Sequence, residues 1–200
     1  GGHAYHATMP TDGLTRFHTV MKARQTGNDP QSPFAPAPVE EVVAAIEREK
    51  PDVVFAPHVE TSSGMILPDD YIRRIGEAAR AAGALFVLDC IASGTIWVDM
   101  RELSVDVLIS APQKGWSASP CAGLVMMSER AMARTEETAS SSFACDLKKW
   151  WQIMQAYENG GHAYHATMPT DALTAFNEVM KETAEYGFDK VKAEQQELGD

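Results

Sequence analysis

Two side chains in this sequence are spaced to do chemistry together, the carboxylate of Asp89 and the amine of Lys114. Asp89 ends the apolar run Ala84-Leu85-Phe86-Val87-Leu88, and Lys114 stands in a polar loop just after Val107-Leu108-Ile109. The small residues Ser119-Pro120-Cys121-Ala122-Gly123 follow closely behind. A lysine amine must be uncharged to attack an aldehyde, and a partly desolvated site favours that form. A carboxylate at a neighbouring strand end can keep a pyridine nitrogen protonated, so that the ring accepts electrons. A lysine and a carboxylate so placed are what pyridoxal phosphate chemistry needs, with Lys114 forming the Schiff base and Asp89 pairing with the ring. Each residue alone has a plainer explanation, Asp89 as a strand-end cap and Lys114 as a solvated surface lysine.

The elements that must position these groups can be read from periodicity. Val39 to Lys50 has helical spacing, with Val42, Val43 and Ile46 available to one face and Glu40, Glu41 and Glu47 to the other. Asp52–Ala56, Ala84–Asp89, Val105–Ser110 and Ala122–Met127 read as strands. A helix beginning at Pro68-Asp69-Asp70, with Asp69 as its cap, stops at Gly83. Ser128 and Asp146 are further cap candidates, the second for a helix carrying Trp150, Trp151, Ile153, Met154 and Tyr157. One long helix is expected from about Asp171 towards Leu198. Strands alternating with helices indicate parallel βαβ units, and near-continuous apolar runs suit strands buried on both faces. In such sheets ligands bind beyond the carboxyl ends of the strands, where Thr61, Asp89 and Lys114 fall. The expected fold is α/β, three-layered, with a mostly parallel sheet and helices on both faces.

The stretches FAPHVETSSGMILP, LFVLDCIASGTIWVDM and LISAPQKGWSASPCAGLVMMS resemble the core of class V aminotransferases. The branch they are most similar to holds the alanine–glyoxylate and serine–pyruvate enzymes. The resemblance runs in order from about Pro36 to the C-terminus. It implies a pyridoxal-phosphate-dependent transaminase that takes an amino group from a small amino acid to a 2-oxo acid. Lys114 would then also carry a proton between substrate and cofactor carbons. The resemblance further implies cofactor contacts from Thr61 in HVETSSG and Gln113 before the lysine. Tyr164 and Thr167 in AYHAT match a motif that reaches the neighbouring subunit's cofactor phosphate, which implies a homodimer with shared active sites.

Gly1–Lys22 nearly duplicates Gly160–Lys181. Solenoids need several copies at a regular period, and here there are two with unrelated sequence between them. The resemblance places this segment once, where the second copy sits. The first copy therefore reads as displaced by duplication, fusion or assembly error, the alternative being a genuine tandem element. Tyr5 and Thr8 inherit no role. The run from Arg24 to Pro38 is polar and punctuated by proline and glycine, as a linker or extended segment would be. This divides the chain into residues 1–35, duplicated segment and linker, and residues 36–200, part of a cofactor-binding large domain. Related enzymes also carry a glycine/serine-rich phosphate loop, an aromatic that stacks on the cofactor ring and a small C-terminal domain with a carboxylate-binding arginine. None of these is found before Pro36 or after Asp200. Weak cofactor binding, little turnover and an exposed sheet edge are the expectations.

The formal charge of −11 over 200 residues argues against nucleic acid or an anionic membrane as the main partner. No apolar run is long enough to span a bilayer, and no signal pattern opens the chain. Three cysteines without a framework spacing suggest a reducing, cytoplasmic setting. His162 and His165, like His3 and His6, are three apart, yet nothing completes a metal-ligand spacing, so no metal is expected. Sulfur transfer on the same fold would need a mobile, exposed cysteine, whereas Cys90 and Cys121 sit by apolar strands and read as packing. A third reading is a catalytically incompetent chain that persists as an interaction surface.

Overall fold

The architecture comes from a computed structural model, which describes residues 24–199. The first repeat copy, with His3, Tyr5, His6 and Thr8, lies outside the described residues. At the centre is a four-stranded sheet of β3 (Val53–Pro57), β6 (Leu85–Asp89), β7 (Val107–Ser110) and β8 (Leu124–Met127), in the order β3-β6-β7-β8. The first three strands are parallel, with Pro57 beside Asp89 and Asp89 beside Ile109 at their carboxyl ends. β8 returns antiparallel to β7, so the expected βαβ rule does not extend to it. The reason is local. No helix lies between β7 and β8 to serve as a crossover, and the irregular loop of residues 111–123 brings the chain back beside β7.

Helices α1 (Val39–Glu49) and α2 (Asp69–Ala81) pack against each other and on one face of this sheet. Strand alternation sends Val54, Ala56, Phe86 and Leu88 into that core with Ile72 and Ile75 of α2. Phe86, Leu88, Ile72 and Ile75 are wholly buried, each worth roughly 2–3 kcal/mol of apolar transfer. Asp69 does not cap α2. Pro68 holds the cap position in extended geometry, its carbonyl accepts from the Ile72 N–H at 3.1 Å, and Asp69 is the first helical residue. Ser128 does cap α3 (Glu129–Glu137), accepting from the Ala131 N–H at 3.2 Å. Asp146 caps α4 (Leu147–Glu158) by accepting from the Lys149 N–H at 2.9 Å.

The expected long C-terminal helix is two, α5 (Thr170–Tyr186) and α6 (Phe188–Gly199). Gly187 parts them at φ 104°, a conformation that side chains with a Cβ rarely adopt. The proline- and glycine-punctuated run is extended as expected, but it pairs with itself. β1 (Arg24–Gln25) lies antiparallel to β2 (Phe34–Ala35), and the Thr26 N–H donates to the Pro33 carbonyl at 2.9 Å. A second small hairpin, β4 (Val59–Glu60) with β5 (Met65–Ile66), follows β3 and carries Thr61 on its turn.

The amino-terminal end of the sheet is held by a buried ion pair. Asp106 is 1% exposed, and both its carboxylate oxygens accept from the Arg130 guanidinium. The Phe86 N–H donates to Asp106 at 2.9 Å and the Ser128 hydroxyl at 3.1 Å, while Arg130 also donates to the Ala84 carbonyl. One side chain thus ties β6, the start of β7 and the head of α3. Burial alone would raise the Asp106 carboxyl, but the hydrogen bonds from Arg130 and Phe86 outweigh it and hold the group below the ordinary aspartate value.

Candidate active site

The carboxyl ends of β3, β6 and β7 each release a loop, and the three loops meet. Asp89 ends the middle strand half-buried, and its Oδ1 accepts from the Ile91 N–H at 3.0 Å, which starts the turn out of β6. Beyond β7, residues 111–118 fold into a compact loop. The Ala118 N–H donates to the Pro112 carbonyl and the Ser117 N–H to the Lys114 carbonyl, both at 3.0 Å. Lys114 projects from this loop, exposed, with no ion pair among the described residues.

A cleft of about 470 Å³ lies at the meeting point. Lys114, Gly115 and Ser117 line it from the loop after β7, Ala92, Gly94 and Thr95 from the loop after β6, and Thr61 from the hairpin after β3. Its fourth wall is α6, through Val191, Glu194, Gln195 and Leu198. The helix is pinned there by polar contacts. Thr95 Oγ1 donates to the Val191 carbonyl at 3.3 Å, Trp97 Nε1 to the Phe188 carbonyl at 3.1 Å, and Lys192 Nζ to the Trp97 carbonyl at 2.9 Å. Beside it, Trp97 and Trp116 pack with ring centres 4.8 Å apart, and Phe176 and Phe188 stand edge-on to them. The indole N–H of Trp116 is buried there without a hydrogen-bond partner.

The structure therefore brings Thr61 and Lys114 to one cleft, and places Asp89 at the strand end whose loop supplies the floor. Gln113 is exposed on the same loop as Lys114 but does not line the cleft. Tyr164 and Thr167 lie elsewhere, on the connection between α4 and α5. Their side chains share a hydrogen bond at 3.1 Å, and Tyr164 is 80% exposed. His165 is occupied by stacking on Phe143, with ring centres 4.1 Å apart. Among the described residues no group of three His, Cys, Asp or Glu side chains could hold a metal.

Three parts of this site escaped sequence reasoning. The wall from α6 did, because nothing in a helix sequence announces which distant cleft it will cover. So did the contact between Gly94 and Gly115. A Cβ added at Gly115 would lie 1.9 Å from the Gly94 carbonyl oxygen, so the two loops touch backbone to backbone. Gly115→Ala is expected to push the lysine loop off the β6 loop, lower stability by roughly 1–3 kcal/mol, and slow labelling of Lys114 by aldehydes. Thermal unfolding and peptide mapping would measure both effects. The third is His58, 1% exposed, which follows β3 directly and was visible only as one letter of a motif.

Cys90 is buried, and burial first, with the Asp89 charge adding to it, pushes its thiol up to about 12 against an opposing Ser93 hydrogen bond. A thiol held that firmly protonated is packing, as read from sequence. A thiol reagent at pH 8 is expected to modify the exposed Cys145 and to reach Cys90 only on unfolding, with mass mapping as the readout. Cys145 is on the loop before α4 and does not line the cleft.

A mostly parallel α/β sheet with a lysine-bearing cleft at its carboxyl edge defines a class of ligand-binding fold, and comparison narrows it. The sequence model of the family described as Aminotransferase class-V matches residues 9–200, so this chain belongs to the class V aminotransferases. It is 29% identical over 178 residues to alanine–glyoxylate aminotransferase of Oryctolagus cuniculus, covering 88% of this chain and 42% of that protein. It is 33% identical over 131 residues to 2-aminoethylphosphonate–pyruvate transaminase of Salmonella schwarzengrund, covering 65% of this chain and 34% of that protein. The fold matches the crystal structure of an alanine–glyoxylate aminotransferase from Nostoc sp. with a TM-score of 0.70 at 26% identity, over 80% of this chain and 41% of that one. The chain thus spans about two fifths or less of the length of these relatives.

Proposed function

We propose that this chain forms the central part of a pyridoxal-phosphate-dependent aminotransferase, which moves an amino group from a small amino acid of alanine or serine type to a 2-oxo acid of glyoxylate or pyruvate type. The observation that carries this reading is the convergence of Lys114 and Thr61 on one cleft, beside the strand that ends in Asp89. The cleft is of the size that small-molecule ligands occupy, and its donors are an amine and the hydroxyls of Thr61, Thr95 and Ser117. That donor set fits pyridoxal phosphate, which needs an amine for its aldehyde and neutral donors for its oxygens. When bound, the cofactor supplies an electron-accepting ring that stabilises negative charge on the substrate α-carbon. Lys114 Nζ anchors it and then carries the proton removed from that carbon. Asp89 holds the proton on the ring nitrogen. Thr61 donates a hydrogen bond, Gln113 contributes beside the phosphate, and α6 forms the fourth wall of the cleft.

Tyr164 and Thr167, joined to each other and exposed, are available to a second copy of the chain, so the working unit is read as a homodimer with shared sites. Residues 36–200 are its cofactor-binding domain, with residues 1–35 as duplicated segment and linker. Among the described residues no helix is long and apolar enough to cross a membrane. The cysteine usage further supports a cytoplasmic setting.

The test is a titration of the purified chain with pyridoxal phosphate, followed by borohydride and peptide mapping. A protein-bound visible band, fixed by borohydride as a pyridoxyl group on Lys114, is the expected result. A folded chain that yields no band beyond free cofactor would remove this reading.

A further inference from the structure

The three loops that carry Thr61, Asp89 and Lys114 come from different strands, so something must set their spacing. Strand pairing fixes them only as far as Pro57, Asp89 and Ile109. Beyond that point His58 takes over. Its backbone N–H donates to the Asp89 carbonyl at 2.8 Å, and its carbonyl accepts from the Leu67 N–H at 2.8 Å, which closes the base of the Thr61 hairpin. Its ring reaches across to the next loop, where Nδ1 and the Ser93 hydroxyl share a hydrogen bond of 2.8 Å, with Cys90 Sγ at 3.9 Å. His58 is 1% exposed and Ser93 6%, so water cannot replace the bond. The neighbour of Ser93 is Gly94, whose backbone abuts Gly115, and Gly115 follows Lys114. A continuous path of contacts therefore runs from the Thr61 hairpin through His58, Ser93, Gly94 and Gly115 to the lysine.

We infer that the buried His58–Ser93 pair is a positioning device for the active site, setting where Lys114 stands relative to Thr61 and Asp89. Its role towards the cofactor rests on the aminotransferase reading above. The pair touches no substrate and acts through the loops it joins. Burial, with the charge of Lys192 adding and that of Asp69 opposing, keeps His58 neutral, so the ring holds the loop by a hydrogen bond rather than by charge. Its position at the end of β3 suits this task, because only a side chain rooted at one strand end and bonded beyond the next can fix both loops.

The experiment uses the whole chain and two readouts. Lysines are reductively methylated with ¹³C-formaldehyde, and the Lys114 signal is assigned from its loss in Lys114→Arg. Pyridoxal phosphate uptake is followed separately by its visible band. Ser93→Ala and His58→Leu each remove the bond, whereas His58→Asn can place an amide where Nδ1 stands. In both bond-breaking variants the Lys114 signal is expected to shift from its position in the unaltered chain, with the signals of Lys148 and Lys149 unmoved. Cofactor affinity is expected to fall roughly five- to tenfold, the size of one neutral buried hydrogen bond. His58→Asn should restore most of both. An unmoved Lys114 signal in folded Ser93→Ala overturns the positioning role, as does failure of His58→Asn to differ from His58→Leu. Absence of the visible band in the unaltered chain would instead remove the aminotransferase reading, while the Lys114 signal still decides the positioning role.

Discussion

Replacing Lys114 with alanine is expected to abolish borohydride-fixed attachment of pyridoxal phosphate, with the thermal midpoint of the protein unchanged. The separation of the two effects follows from the geometry. Lys114 is exposed and makes no ion pair among the described residues, and its loop is held by backbone hydrogen bonds and by the Gly94–Gly115 contact. A substitution at such a position usually alters stability by no more than about 0.5 kcal/mol. The chemistry, in contrast, has no substitute, since no other amine lines the cleft among the described residues. Lys114→Arg should behave like alanine, because a guanidinium stays protonated and cannot serve as the nucleophile. The mapped pyridoxyl peptide and a thermal melt on the same samples test both halves. Labelling that persists at another lysine would show that attachment is nonspecific.

The second large effect is expected at the opposite end of the sheet. Removing one partner of a buried ion pair leaves the other charge uncompensated, at a cost of about 3–5 kcal/mol. Arg130→Ala should fall at the low end, about 3 kcal/mol, because the arginine is 31% exposed and its charge is partly screened. The pH dependence gives the loss a signature. In the unaltered protein the Asp106 carboxyl lies below its ordinary 3.8, so its contribution is fully present above that value and is lost as pH falls through the folded one. Without Arg130, burial dominates and raises the carboxyl, so the charged form is destabilising at neutral pH and protonation relieves it. The stability gap between the two proteins is therefore widest near neutrality and narrows as pH falls through the variant's raised value and then through the unaltered protein's lowered one. Urea unfolding across that range would read it. A gap independent of pH would mean that Arg130 acts by packing alone.

Much of this was legible in the sequence, for identifiable reasons. Ala84 to Leu88 is an unbroken apolar run of strand length, and that run placed β6 correctly. Ser128 and Asp146 were recognised as caps because their side chains can only reach the backbone N–H groups just ahead. Asp69 was misread because Pro68, whose backbone is already pre-set for helix entry, took the cap position from it. The antiparallel return of β8 was missed because apolar content is the same for either direction, and only the missing crossover helix distinguishes them. Lys114 pointed to a candidate site by its chemistry at a strand end, and Thr61 only through the family resemblance of its motif. His58, Ser93 and Gly115 serve that site by spacing and shape, which a local string of residues does not encode.

The fourth wall of the cleft carries a kinetic consequence. No residue of α6 is buried, and among the described residues its grip on the cleft consists of three hydrogen bonds with the Phe188 ring at its head, while only exposed contacts such as Tyr186 hydroxyl to Glu194 at 2.8 Å tie it to α5. Such a segment opens at a small fraction of the global unfolding free energy, so its amides should exchange with deuterium long before those of β6. The wall is thus the part of the cleft that loosens first, while Lys114 meets solvent throughout.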